Sequence, residues 1–197
     1  MSDHPDYLVW GTTSVGGFAS VTDIEGVARP YELAVGIPRA DRFSPEAAYR
    51  MDPRHPRDVR LPDAIRSTDG AAVPIVSPAL RAEVKRAEPA GVEFLPVTIY
   101  DHKGRVATDA YTVMNPTLIL DALDLDAMEV EWSPLAADTI DSCEGIVLDP
   151  TAVADAPALF RIQRMENTVV IRRDLAEALK EEGLTGLYFT ELADVSD

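Results

Sequence analysis

The side chains that could do chemistry are few and widely spaced in this sequence. Its three histidines lie near the N-terminus (His4), in a proline-arginine stretch (His55) and in a tight turn (His102). None has a ligand-like spacing to another histidine or to Cys143, the one cysteine, so the pattern argues against a zinc site. Ser142 and Cys143 lack a neighbouring histidine to activate either as a nucleophile. The sequence therefore predicts no nucleophilic or zinc-dependent centre.

Two further patterns are similar to ligand-binding motifs but lack an essential part. Asp121, Asp124 and Asp126 suggest a calcium loop, yet the loop glycine and the closing glutamate are missing. The glycine-rich stretch 11–17 follows a strand-like run but has no Lys-Ser or Lys-Thr at its end, so a structural turn is favoured over a phosphate site. There is no dinucleotide fingerprint and no Gly-x-Ser-x-Gly motif. We predict no catalysis, no cofactor and no bound metal.

The distribution of charge points to a binding surface. The net charge of −16 argues against nucleic acid and anionic membrane as partners, because like charges repel. Residues 106–160 hold eleven acids and no Lys or Arg. This excess of acids could form a solvated surface or a surface that binds a partner. We predict the partner surface, because selection for stability alone would favour cations interspersed among the acids. The candidate residues are eight acids and one aromatic anchor, namely Asp121, Asp124, Asp126, Glu129, Glu131, Trp132, Asp138, Asp141 and Glu144.

The strongest structural signal is a β-hairpin over 92–100 and 106–114. Leu95, Val97 and Ile99 alternate with more polar positions, which gives one aliphatic face. The sequence Asp-His-Lys-Gly that follows has the residue types of a type I turn, and a second alternating run returns after it. The returning strand ends at Asn-Pro, because proline has no N–H for a ladder.

Two helices are predicted to pack on this hairpin, at 78–87 and 174–182. Ser77 precedes the first as an N-cap with proline after it, and Gly183 ends the second in a left-handed C-cap. Their predicted buried residues are Leu80, Val84, Leu175, Ala178 and Leu179.

Shorter elements complete the prediction. Further strands are expected at 7–10, 31–37, 73–76, 128–132, 145–148, 159–162, 168–171 and 187–189, with a turn at Glu166-Asn167 and a strand or helical turn at 118–127. Trp132 alternates with Met128 and Val130, which also fits a core residue.

The one basic region lies at 38–68, with seven arginines and five prolines. Because five acids are interleaved there, we favour a surface loop that packs on the acidic half (residues 106–160) over a nucleic-acid patch. A partner-contacting arm is the further alternative.

These elements predict the α+β class, with a mixed or mainly antiparallel sheet built around the hairpin. We expect one domain over 1–197, made of a β-rich extension with the proline-arginine loop (1–60) and a core (60–192). A single cysteine excludes an internal disulfide and fits a reducing compartment. The N-terminus has no signal-peptide pattern, and no apolar run approaches the ~20 residues of a membrane span. A cytoplasmic protein is expected.

Several short motifs follow one another in a specific order along the core. They are Val76-Ser77-Pro78 with Leu80, Gly91–Val97, Tyr111–Pro116, Leu120–Asp124, Leu159–Ile162 and Gly183–Leu192. In this order they resemble a bacterial family of immunity proteins from polymorphic-toxin systems, immunity family eleven, formerly a domain of unknown function. The resemblance covers roughly residues 60–192. It implies a small cytosolic protein that binds and neutralises a secreted toxin encoded beside it, and it implies no catalytic residues.

The leading hypothesis is therefore an immunity protein that inhibits its cognate toxin by binding. Electrostatic steering speeds association, but tight capture also needs buried aromatic anchors. An acidic inhibitor suits a basic toxin such as a nuclease, and the sequence leaves the identity of the toxin open. The alternatives are a non-catalytic small-ligand or regulatory module of the same fold, and a hydrolase whose site the sequence does not reveal.

Overall fold

Strands dominate the computed structural model, which describes residues 6–13, 17–68, 73–87 and 89–196. Within these ranges the strands are β1 Tyr7–Thr12, β2 Ala48–Arg50, β3 Ala64–Ile65, β4 Ile75–Val76, β5 Val92–Pro96, β6 Thr98–Tyr100, β7 Val106–Thr108, β8 Thr112–Pro116, β9 Ile119–Leu120, β10 Val130–Trp132, β11 Ile140–Cys143, β12 Leu159–Ile162, β13 Met165–Arg172 and β14 Leu187–Glu191. The helices are α1 Tyr31–Ala34, α2 Pro78–Arg86 and α3 Arg173–Glu181. Short 3-10 turns lie at Ala40–Arg42, Leu125–Ala127 and Leu192–Asp194. The predicted α+β class is confirmed.

The strands of the described chain form open sheets of mixed and antiparallel pairing. The largest has the order β14–β1–β13–β12–β9, with only the β12–β9 pair parallel. An antiparallel sheet has the order β3–β4–β8–β5, and a three-stranded sheet has the order β2–β6–β7 with β2 and β6 parallel. Strands β10 and β11 form a separate two-stranded hairpin. Since β1 lies between β13 and β14, the first and last parts of the chain share one sheet.

The predicted central hairpin is confirmed, and it contributes strands to two sheets. Its base, β5 with β8, belongs to the four-stranded sheet, and its outer part, β6 with β7, belongs to the three-stranded sheet. At the junction the N–H of Val97 donates to the carbonyl of Tyr111 over 3.1 Å. The turn is closed by the N–H of Gly104, which donates to the carbonyl of Asp101 over 2.9 Å. The buried side chains of the first arm are Leu95, Val97 and Ile99, as predicted.

Both predicted helices are confirmed within one residue at each end. Ser77 caps α2, because its Oγ accepts a hydrogen bond from the N–H of Leu80 over 3.2 Å. Gly183 adopts φ +69° after α3, as the left-handed C-cap requires. The side chains buried by the two helices are Leu80, Val84, Leu175, Ala176 and Leu179. The prediction for Ala178 is wrong: it is exposed, and Ala176 on the other side of the leucine pair faces the core instead.

The N-terminal third departs from the prediction at two places. Residues 31–37 do not form a strand, because Pro30 starts a single helical turn, α1, that is followed by Gly36 at φ +72°. The basic region 38–68 is not a surface loop, since it contains β2, β3 and a 3-10 turn. Its short apolar runs supply buried side chains, namely Tyr49, Met51, Ala64 and Ile65.

The acidic half also departs from the prediction. The strand expected at 145–148 is absent, and only an isolated bridge joins Leu148 to Leu123. The strand lies instead at β11, a few residues earlier. The turn between β12 and β13 lies at Gln163-Arg164 and not at Glu166-Asn167, because Arg164 adopts φ +72°. The segment 118–127 contains both of its predicted alternatives, β9 followed by a 3-10 turn.

The five-stranded sheet buries both of its faces, which determines where the acidic half lies. On one face, Leu159 and Ile171 pack with α2 and α3. On the other face, Phe160 and Val170 pack with the apolar residues of the acidic half. Alternate residues of the same strands therefore belong to two different apolar clusters, one on each face of the sheet.

Candidate partner-binding surface

The acidic segment 118–148 is attached to the sheet by apolar residues that alternate with its acids. The partly buried residues that pack against the apolar cluster of Phe160 and Val170 are Leu118, Leu120, Leu123, Leu125, Met128, Val130 and Leu148. The acids between them face outward for this reason. Seven of the eight candidate acids are exposed, and Asp124 is half-buried at the start of the 3-10 turn. We call the eight candidate acids the acidic face.

The second half of the candidate residues lies on the β10–β11 hairpin or directly after it. Glu131 lies opposite Ser142, and its Oε2 accepts a hydrogen bond from the Ser142 hydroxyl over 3.1 Å. The loop is closed by the N–H of Ser133, which donates to the carbonyl of Thr139 over 2.8 Å. Asp138 lies within that loop and Asp141 on β11, while Glu144 follows β11. Asp121, Asp124 and Asp126 come from the preceding segment.

Trp132 is half exposed, at 48%, although its spacing from Val130 also fits a core residue. The register between β10 and β11 shifts between Glu131 and Trp132, with Asp141 as the additional residue on β11. Trp132 lies opposite the buried Ile140 at the end of β10, where about half of its surface stays exposed. Leu135, in the hairpin loop, is 95% exposed and is absent from the sequence-based candidates. The signal that could have found it is the apolar run Pro-Leu-Ala-Ala between two strands.

One cation from outside the acidic segment reaches the acidic face. Arg164 places Nη1 2.6 Å from Asp121 and Nε 2.9 Å from Asp138. The hydrogen bonds to Asp121 and then to Asp138 raise the pKa of the Arg164 guanidinium. Its main-chain carbonyl also accepts a hydrogen bond from the N–H of Ile140 over 3.0 Å. The linear sequence carries no signal for this contact, because Arg164 lies outside the cation-free segment.

The other acids of the face remain uncompensated within the described ranges. No ion pair there involves Asp124, Asp126, Glu129, Glu131, Asp141 or Glu144. Nor do the residues described bring three or more His, Cys, Asp or Glu side chains together as a metal site.

The histidines and the cysteine are dispersed in the structure. His55 lines an open cavity of about 350 Å³ together with Asp52, Arg54 and Arg66. His102 lies with Nε2 3.4 Å from the carbonyl oxygen of Asp58. Cys143 is buried beneath the β10–β11 hairpin. His4 and residues 14–16 of the glycine-rich stretch lie outside the described residues.

The structure combines an α+β architecture with a separate two-stranded hairpin that carries exposed acids. The chain belongs to the Imm11 family of immunity proteins, whose family model matches residues 30–194. The resemblance is confirmed, and the match begins at residue 30, so that it includes the basic region. A comparison with curated proteins returns no match. Membership indicates an immunity function and a cognate toxin as the partner. In the part of the chain that the structure describes, no helix has the length and apolarity to span a membrane.

Proposed function

We propose that this chain is a cytoplasmic immunity protein that neutralises a secreted bacterial toxin by binding it, without catalysis and without a cofactor. The observation that carries the proposal is the acidic face, in which six acids make no ion pair within the described residues. Like-charge crowding of this kind costs stability, and a basic partner relieves that cost on binding. The partner is a basic toxin, for which a nuclease is the leading candidate class.

The acidic face and Trp132 have different roles in this proposal. Long-range attraction by the acids raises the rate at which the toxin is captured, and this effect is weakened by salt. Tight retention requires apolar area that is desolvated in the complex, and the half-exposed Trp132 supplies it. The proposal therefore separates association, which depends on charge, from dissociation, which depends on the aromatic anchor.

We also propose that residues 1–197 act as one domain. Support comes from β1, which lies between β13 and β14 in the five-stranded sheet. Asp63 gives further support, because its carboxylate accepts hydrogen bonds from the N–H and the hydroxyl of Thr185 over 2.9 and 2.8 Å.

The test of function is charge reversal on the acidic face. Asp126, Glu129 and Asp141 are exposed and unpaired within the described chain, so we replace all three with Lys. The matched control reverses three exposed acids at α3, namely Glu177, Glu181 and Glu182, with the same change in net charge. Association with the purified toxic domain encoded by the adjacent gene is measured at low and at high salt.

We expect the acidic-face variant to associate about tenfold more slowly at low salt and to show a flatter salt dependence. The α3 control should change much less, because its acids lie on another element. Equal on-rates for wild type and the acidic-face variant at both salt concentrations would contradict the proposed surface.

A further inference from the structure

The tip of the β10–β11 hairpin exposes a continuous apolar stretch. Leu135 is 95% exposed, the highest value among the large apolar side chains of the described residues. Pro134, Ala136 and Ala137 are exposed beside it, and Trp132 is 48% exposed at the end of β10. Single exposed apolar residues are ordinary, whereas a contiguous patch of them marks an interaction site.

This tip is held in one conformation by contacts at its base. The hydrogen bond from the Ser133 N–H to the Thr139 carbonyl closes the loop, and Asp138 adopts φ +57°, a conformation that Asp tolerates better than most residues. The guanidinium of Arg164 binds the Asp138 carboxylate, while its carbonyl accepts from the N–H of Ile140. The base of the loop is therefore fixed, which lowers the conformational entropy that binding through the hairpin costs.

The charges around the tip decide which partner fits it. Glu131 lies on β10, Asp138 in the loop and Asp141 on β11, so acids flank the apolar stretch on both strands. A second copy of this chain would bring the same acids together and carries its own charge of −16. A surface with an apolar centre and a basic rim complements the tip in both respects.

We propose that the hairpin tip is a wedge that enters an apolar pocket rimmed by Lys or Arg on the toxin, with Leu135 and Trp132 as its anchors. This inference rests on the proposed immunity function and deepens it, because it names the element that holds the toxin. The anchors act after encounter, so they control the dissociation rate, whereas the acidic face controls the association rate.

The experiment truncates each anchor and compares it with an exposed apolar residue elsewhere. Leu135→Ala is paired with Val106→Ala, which removes a 58% exposed side chain from β7. Trp132→Ala is paired with Tyr188→Ala, which removes a 54% exposed ring from β14. Dissociation rates and Kd are measured with the same toxic domain. We expect Trp132→Ala to raise Kd about 30-fold or more and Leu135→Ala about tenfold, through faster dissociation, with both controls within about twofold.

Folding and self-association are checked on the same variants. Since Leu135 is almost fully exposed, its truncation removes no core packing. The melting temperature of the Leu135→Ala variant should therefore equal that of the wild type. Wild-type Kd values for both anchor variants, combined with slow association of the acidic-face variant, would overturn the wedge and the role of Trp132 in retention. Neutralisation of the toxin by binding through the acidic face would still stand. Failure of the wild type to bind the toxic domain would overturn both. A wild-type dimer that Leu135→Ala converts to monomers in sedimentation would place a second copy at the tip and overturn the wedge as well.

Discussion

Charged residues in the basic region and on the acidic face are used in opposite ways. Glu32 and Arg39 form an ion pair in which both side chains are at most 7% exposed, and Arg42 adds a second contact to Glu32 at 3.1 Å. Burial alone would raise the pKa of Glu32, but the hydrogen bond from Arg39 and the charges of both arginines lower it. On the acidic face, by contrast, Asp126 and Glu129 are exposed and have no counter-ion within the described residues.

The interior of the molecule contains a more extreme case in Arg161. This side chain is fully buried and binds carbonyl oxygens rather than a carboxylate. The acceptors are the main-chain carbonyls of Leu33, Ala34, Pro116 and Glu166, at 2.7–3.0 Å. Burial lowers the pKa of Arg161 to about 10, so the guanidinium stays charged at neutral pH. A Cβ at Gly36 would lie 2.7 Å from its Cδ, which explains the glycine at that position.

The difference shows how one chain uses charge for two purposes. The buried guanidinium of Arg161 joins segments that are distant in sequence, and that of Arg39 binds Glu32 and the carbonyl of Ala28, so both stabilise the fold. Within the described chain, the ion pairs of the acidic face are those of Asp121 and Asp138 with Arg164, and Glu131 accepts a hydrogen bond from Ser142. In the proposed function, the acids that make no ion pair act on the partner.

The largest expected effect comes from Arg161→Met, compared with Arg164→Met. Met keeps much of the aliphatic volume but leaves four buried or half-buried carbonyls without the Arg161 donor, so we expect a loss of about 3 kcal/mol or more in the free energy of unfolding. Arg164 pairs with two exposed carboxylates, and its replacement should cost about 1 kcal/mol or less. Urea denaturation of both variants measures the two values. Equal losses would remove the distinction between the two uses of charge.

A smaller effect is expected from Asp63→Asn. The burial of Asp63 is intermediate between that of Arg161 and that of the exposed acids of the acidic face. The carboxylate is half-buried; burial acts to raise its pKa, and hydrogen bonds from Thr185 and Ser77 outweigh this and lower it. The resulting stability is present above the unfolded pKa of about 3.9 and is lost as the pH falls through the folded value. We expect Asp63→Asn to cost about 1–3 kcal/mol at pH 7.

The difference in stability between Asp63→Asn and wild type should begin to narrow below about pH 4, where the unfolded carboxyl group takes up its proton. It should close as the pH falls through the lower folded pKa, below which both chains are neutral at this position. Melting curves from pH 3 to pH 7 test this. A gap that is independent of pH would show that the ionised carboxylate contributes no stability.

The smallest effect is expected on the acidic face itself. Replacing Asp126 and Asp141 with Asn and Glu129 with Gln removes repulsion without removing an intramolecular contact of the described residues. The melting temperature at low salt should stay the same or rise by up to about 2 °C. A clear fall would mean that these acids support the fold, and it would weaken the contrast with Arg161.

Patterns that depend on neighbours in sequence were predictable. The hairpin around Asp101–Gly104 and the Ser77 cap of α2 follow from turn and capping chemistry within a few residues. Strands in the basic region were missed, because β2 and β3 are only three and two residues long and lie between prolines. Their pairing partners, β6 and β4, stabilise them, and such partners are not visible in a short window of sequence.

The sequence alone was sufficient for the α+β class, the family, the excess of acids between residues 106 and 160, and the absence of a cysteine or histidine motif. Each of these features depends on amino-acid composition or on the order of residues along the sequence. Tertiary structure decided that Ala176 and not Ala178 is buried, that Arg164 reaches two acids, and that Trp132 is half exposed. These outcomes depend on how separate elements pack, since a helix can turn either flank of its leucine pair inward and a strand end is covered only where another element lies over it.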